Sequence, residues 1–427
     1  MENIGNAATW LTQTLGVVTF AAAIFHMFLA GRFGSLAGKN GPHKGFWHLL
    51  SEVEIAFGLW AVVFLFLMGL ANGPGAAVKY LESASLAEPV FVFAVMVVAS
   101  TRPVVDLATR IITGAAEKLP GPKGMTTCFT ALFIGPLLGS FITEPAAMTV
   151  TALILSRIFF RQSLPESLKY AMLGTLFVNI SIGGVLTHFA APPVIMSARI
   201  WGWESWDIFS RFGWIAILAV AANALLLTVV FAGPLKALDA SPTPHKREPA
   251  PAWITCMHLA TLVLLVTLLH HPVVLLAVLV VFLGFADAYE PHQSKLYIRP
   301  ALFVGVFLAG LALLGPQQRF WIQPLISGMD HLSLYFGALG LTSITDNAAL
   351  AYLGALVENF SDQQKVSLLA GAITGGGLTL IANAPNPAGH ALLKHAFKAQ
   401  IIRPLGLFLG ALVPTAVTAT FFLILGL

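Results

Sequence analysis

Six stretches of this chain, 8–30, 46–71, 208–233, 252–270, 272–289 and 401–427, are predominantly apolar. Each has about the 20 residues that a helix needs to cross a bilayer. This feature constrains the fold most, because lipid offers no partner to backbone N–H and C=O groups, and only helices or closed barrels satisfy them internally. The stretches lack the alternation of apolar and polar residues that barrel strands show, so the spans should be helices. Only 10% of residues are charged and 57% are hydrophobic, whereas soluble domains are roughly one-quarter charged. The expectation is an all-α polytopic protein whose main partner is the lipid bilayer.

Several function classes drop out early. The first charged residue is the acidic Glu2, and the first apolar run has no short hydrophobic core followed by a cleavage site, so it reads as a retained helix. Cys128 and Cys256 sit in or beside apolar sequence and point to no disulfide framework or thiolate metal site. The net charge of +4 comes from basic residues scattered among loops, which argues against nucleic acid. No glycine-rich phosphate loop ending in Lys-Ser/Thr occurs, nor a Gly-x-Ser-x-Gly elbow or a His-Glu-x-x-His zinc motif. Neither an ATP-driven pump nor an intramembrane enzyme is expected, and no cofactor is implied.

Lysine and arginine near helix ends favour the cytoplasmic side. With both termini outside, 18 of the 23 Lys and Arg fall in cytoplasmic loops, leaving Lys79, Arg199, Arg211, Arg319 and Lys365 outside. That count requires 125–160 to enter and leave from the cytoplasm, and 323–358 to enter and leave from outside. Both become re-entrant hairpins, whose tips must be buried in protein or line a watery cavity.

The hairpins also share a phrase. "SFITEPAAM" (140–148) matches "TSITDNAAL" (342–350), setting Glu144 on Asp346, and "GGVLTHFAAPP" (183–193) then matches "GGGLTLIANAP" (375–385). Two matches in the same order divide the chain into a first repeat, 1–235, a basic proline-bearing linker, 236–251, and a second repeat, 252–427. Each repeat has five spans, one hairpin and one broken helix. The first begins outside and the second inside, the inverted-topology pattern of secondary transporters.

On these residues the chain resembles the ion transporter superfamily, which includes D-type sodium/proton antiporters, arsenite exporters and divalent-anion symporters. "LTSITDNAALAYLGALV" (341–357) is most similar to a sodium/proton antiporter family related to the D-type proteins. The resemblance implies a homodimer in a bacterial-type cytoplasmic membrane. The first copy departs from the second: it has Glu144-Pro145 in place of Asp346-Asn347, and "THFAAPPV" (187–194) lacks the Asn of "NAPNP" (383–387).

An ionised carboxylate at membrane depth costs about 2.5–3.5 kcal/mol even on the lenient insertion scale, so it needs a partner, water or a cation. A hard cation such as sodium prefers oxygen ligands. The two copies supply them from Asp346, Glu144, Asn347, Thr345, Thr143, Ser343, Ser140, Thr342, Thr187, Thr379, Asn383 and Asn386. Sodium is expected at Asp346 and Glu144, with Asp346 the principal group for which proton and sodium compete. Alternating access would carry the loaded carboxylate across. Two acidic tips would repel an anion, although a sodium-coupled anion symporter or a metalloid exporter of the same superfamily stays open as the alternative.

Asp346 and Glu144 also suit helix N-caps, and Pro145 suits a first helical turn. His48 and Glu52, four residues apart, are either a proton-access pair or an interfacial pair at a helix end. His188 reads as a hydrogen-bonded structural group. Asp287, Glu290 and His292 read as solvated loop charge, His270-His271 as a helix cap. Trp47, Trp201, Trp203, Trp206 and Trp321 read as an interfacial belt.

Overall fold

A computed structural model describes residues 2–37, 43–52, 54–162, 164–238 and 250–427, and among these it contains helices and no strand. Most of the 236–251 linker lies outside the described residues.

The first part of the chain runs through α1 (Glu2–Ala37), α2 (Lys44–Leu50), α3 (Ile55–Asn72), α4 (Pro74–Ser83), α5 (Ala87–Ala99) and α6 (Arg102–Lys118). The apolar run 46–71 is therefore not one span. It breaks at 51–54, because Glu52 and Glu54 would otherwise be drawn into hydrocarbon, and α2 instead packs on α1. Gly73, at φ +91°, ends α3 in a conformation that glycine adopts without strain, and Pro74 opens α4. Helices α4 and α5 meet at a 62° bend.

The first hairpin is α7 (Lys123–Ile142) and α8 (Glu144–Ile158), which lie against each other and turn at Thr143. Next come α9 (Glu166–Gly183) and α10 (Pro192–Trp201). The short α11 (Ser205–Ile208) continues through a π-helical turn into α12 (Trp214–Val230), followed by α13 (Ala232–Lys236).

After the linker, α14 (Ala252–Thr267) and α15 (Pro272–Ala288) are apolar helices, and α16 (Ile298–Leu314) runs through a 3-10 turn into α17 (Arg319–Ile326). The second hairpin is α18 (His331–Thr342) and α19 (Asn347–Ala355). It starts later than position 323 because Asp330 caps α18, its carboxylate accepting from the N–H groups of Leu332 and Ser333. Hydrogen bonds from the Ser333 side chain and backbone hold that exposed carboxyl below the usual aspartate range. The chain finishes with α20 (Asp362–Gly375), α21 (Asn386–Leu393) and α22 (Pro404–Leu425). Among the described residues six helical segments are long and apolar enough to cross a membrane, or seven if bent α4–α5 counts as one span.

Two helices are interrupted where the sequence places glycine ahead of proline. The α9–α10 break spans residues 184–191, between Gly183-Gly184 and Pro192-Pro193, and the α20–α21 break spans 376–385, between Gly375-Gly376-Gly377 and Pro387. Glycine lets the chain leave the helix, and proline, lacking an N–H, restarts it at a first turn. The arms interlock across the halves: α10 packs on α19, and α21 packs on α8. Helices α9 and α22 approach backbone to backbone, since a Cβ on Gly174 would collide with the main chain at Gly410 and Ala411.

Polar contacts join distant loops in two sets. Arg211 pairs with Asp362, Arg319 with Glu358, and Gln363 donates to the Leu427 carbonyl, all within the set expected outside. In the other set, Arg299 pairs with Glu52, Lys169 donates to the Ala396 carbonyl and Arg102 to that of Pro291. Trp206 is largely exposed, but Trp203 is buried beneath the Arg211 guanidinium and so is not part of a lipid-facing belt.

Candidate functional site

The two interrupted helices meet where α9 and α20 approach their breaks, and unwound backbone from both halves is largely buried there. A Cβ on Gly377 would run into the backbone of Val178, and Ser181 Oγ donates to the Ile373 carbonyl at 2.6 Å. The hairpin tips close on the same place. The Asn347 N–H donates to the Ala382 carbonyl at 3.0 Å, and Asn347 Nδ2 lies 3.5 Å from Ser181 Oγ.

Asp346 is the N-cap of α19, its Oδ1 accepting from the N–H groups of Ala348 at 2.8 Å and Ala349 at 3.1 Å. It is only 5% exposed, and it lines a cavity of about 240 Å3 together with Ser51, Glu52, Glu54 and Asn383. The helix start places positive dipole and two donors against the carboxylate. Capping of α19 and exposure to a cavity therefore coexist at this residue.

Glu144 lies deeper and is fully buried, with Oε2 accepting from Asn383 Nδ2 at 3.0 Å and Oε1 without a hydrogen-bond partner. Asn383 thus stands between the cavity that holds Asp346 and the Glu144 carboxyl. Asn386 spans the second break, donating through Nδ2 to the carbonyls of Gly376 at 2.8 Å and Thr379 at 2.9 Å.

The threonines beside the glycine pairs stitch each break to its hairpin. Thr187 donates to the Ser140 carbonyl at 2.7 Å, and Thr379 to the Ser343 carbonyl at 2.8 Å. Ser140 also bridges, donating to Gly183 and accepting from the Leu186 N–H. By contrast, Ser343 and Thr345 hydroxyls turn back onto the carbonyls of Gly340 and Leu341 in their own helix, so they are not drawn into the cluster.

The buried oxygens Thr143 Oγ1, Glu144 Oε1, Thr342 Oγ1, Asn347 Oδ1, Asn383 Oδ1 and Asn386 Oδ1 have no hydrogen-bond partner among the described residues. Buried polar atoms are nearly always paired, so orphaned acceptors gathered at two breaks call for a partner that offers positive charge or a proton. A hard cation is chemically suited to an all-oxygen set. Among the described residues no group of three or more His, Cys, Asp or Glu could hold a metal ion, so ligation here would rest on amide, hydroxyl and carbonyl oxygens alongside the carboxylates.

Glu144 and Asp346 do not hold the same place at their hairpin tips. Helix α8 begins at Glu144 after the N-cap Thr143, whereas α19 begins at Asn347 after the N-cap Asp346. Gly183 backs onto Pro136 and Gly375 onto Leu339; Gly184 faces Glu144 and Gly376 faces Asn347. Thr187 and Thr379 find Ser140 and Ser343 in the same register. The spatial counterpart of Asp346 is therefore Thr143, and that of Glu144 is Asn347. Thr143 sits at φ +72°, ψ 151°, a region that is essentially glycine's and that costs a β-branched residue about 1–3 kcal/mol.

His48 Nδ1 lies 3.5 Å from Glu52 Oε1, just past the end of α2, and Arg299 joins Glu52 at 3.3 Å. All three line a second cavity of about 580 Å3 that also reaches Thr149 and Pro387. Glu54 lines both cavities. The sequence drew attention to His48 and Glu52 by their spacing; Glu54 carried no signal except that it is a carboxylate inside an apolar run.

A family model described as "Putative Na+/H+ antiporter" matches residues 11–425. The chain belongs to that family. No curated protein matches it. Among solved structures, the crystal structure of the Alcanivorax borkumensis YdaH transporter is similar at 13% identity and a TM-score of 0.46, over 88% of this chain and 97% of that one. This member of an antiporter family is an integral membrane transporter, with apolar helices that surround the two breaks and an oxygen-rich cluster at their crossing.

Proposed function

We propose that the chain is a sodium/proton antiporter in which a proton and a sodium ion compete for Asp346, with Glu144 as a second, deeper carboxyl reached through Asn383. The observation that carries this reading is the placement of Asp346: a buried carboxylate on a helix N-terminus, lining a cavity also lined by Asn383, which is hydrogen-bonded to Glu144. A buried carboxylate binds one cation or one proton more readily than neither, because the bare charge is costly to hold at membrane depth. That exclusivity couples the two ions.

The two halves act as inverted repeats, 1–235 and 252–427, each contributing a hairpin and a broken helix, and the midplane crossing of the breaks is the transport site. The interlocking of α10 with α19 and of α21 with α8 supports this arrangement. The one-residue offset makes the site asymmetric, with an acid at the cap position of one tip and at the first helical position of the other.

The test is sodium-driven dissipation of a preset proton gradient in sealed proteoliposomes, with the native chain and Asp346→Asn. The native chain should collapse the gradient and the variant should not. No response to sodium or lithium from correctly reconstituted native protein would end the antiport reading and turn the search to anions and metalloids.

A further inference from the structure

We propose that Glu54 is a second cation-binding carboxylate of the entry cavity, which receives the ion before Asp346 does; the inference rests on the antiport reading above. Glu54 is the N-cap position of α3, just after the break that parts α2 from α3. The wider cavity, about 580 Å3, carries His48, Glu52 and Arg299, and the inner one, about 240 Å3, carries Asp346 and Asn383. Glu52, Glu54, Ala384 and Pro387 line both, so they form the throat between mouth and site.

The two throat carboxylates differ in availability. Glu52 is engaged by Arg299 at 3.3 Å and by His48 at 3.5 Å, and its charge is answered there. Glu54 makes no ion pair and no hydrogen bond to another described side chain; its carboxyl accepts from its own backbone N–H at the start of α3 and otherwise faces the throat. Beyond it, the fully buried Asn383 presents an Oδ1 with no partner to the same inner cavity that Asp346 lines. The throat and the inner cavity thus offer an entering ion a carboxylate without an ion pair, an amide oxygen and the Asp346 carboxylate. Each can replace part of its hydration shell with oxygen.

The experiment compares native protein, Glu54→Gln, Glu54→Asp and Asp346→Asn by two readouts: the sodium concentration for half-maximal exchange in proteoliposomes, and sodium-induced thermal stabilisation in detergent. Removing one partly solvated attractive charge should raise half-saturating sodium about fivefold. The maximal rate at saturating sodium should stay within about twofold, because Asp346 still carries the exchange. Glu54→Asp should keep most of the affinity. Half-saturation and thermal stabilisation unchanged in Glu54→Gln, or equal losses in the Gln and Asp variants, would overturn the proposal. If Glu54→Gln does not fold, Ser51→Cys on a Cys256→Ser background replaces it: Ser51 lines the inner cavity with Glu54, so sodium should slow modification of that thiol by a cationic reagent, and an unaffected rate overturns the assignment. Failure of the antiport reading looks different, since native protein itself would then show neither sodium-driven exchange nor sodium stabilisation.

Discussion

Replacing Asn383 by leucine isolates the link between the inner cavity and Glu144. The Glu144 carboxyl makes one side-chain hydrogen bond, from Asn383 Nδ2 at 3.0 Å, and its other oxygen has no partner. Leucine is close to asparagine in shape, so the variant removes the donor without opening a hole. A hydrogen bond to a charged group contributes about 1.5–3 kcal/mol. Each 1.4 kcal/mol is about tenfold in an equilibrium constant, so apparent sodium affinity should fall by about tenfold to a hundredfold. The assay is the sodium dependence of proton-gradient dissipation in proteoliposomes, with size-exclusion profiles matched to native protein. Repeating it in a Glu144→Gln background gives a double-mutant cycle, and if the two side chains act through each other the losses should not add. A half-saturating sodium concentration within about twofold of native, in well-folded Asn383→Leu protein, would refute the assignment of Asn383 as the bridge.

Three further outcomes follow from the packing. Thr143→Gly relieves a backbone conformation that costs about 1–3 kcal/mol while adding roughly 0.5–1 kcal/mol of chain entropy, so thermal stability should hold or rise; a drop in Tm would show that the Thr143 side chain stabilises more than its strain costs. Gly174→Ala drives a methyl into the α22 backbone at Gly410 and should destabilise by about 1–3 kcal/mol, read as a lower Tm in detergent, whereas Gly114→Ala, with open space around it, should not. Glu88, 4% exposed, pairs with Arg199 and tethers α5 to α10, while a cavity lies between α16 and α21. A bifunctional thiol reagent that bridges Glu88→Cys and Arg199→Cys through two disulfides, with Cys256→Ser, should therefore stop exchange until reduced; full turnover by cross-linked protein would show that α5 and α10 need not part.

Much of this protein is written locally. Apolar run length set the spans, glycine pairs ahead of prolines set the two breaks, and acidic residues inside small apolar phrases marked both hairpin tips, because lipid penalises any other use of such residues. Asp346, Asn383 and Glu144 were legible as candidates for that reason. The tertiary structure alone decided the rest. It set Glu144 at the first position of α8 and Asp346 at the cap of α19, since a helix start is fixed by which group caps it, and the similar phrases are silent on that. It broke the run 46–71 at Glu52 and Glu54 and carried Glu54 to a cavity shared with Asp346, nearly three hundred residues away along the chain. It also turned Ser343 and Thr345 away from the cluster, although their sequence neighbours join it. Sequence dictates what must be hidden from lipid. Which buried oxygens end up facing one another depends on how the two halves cross.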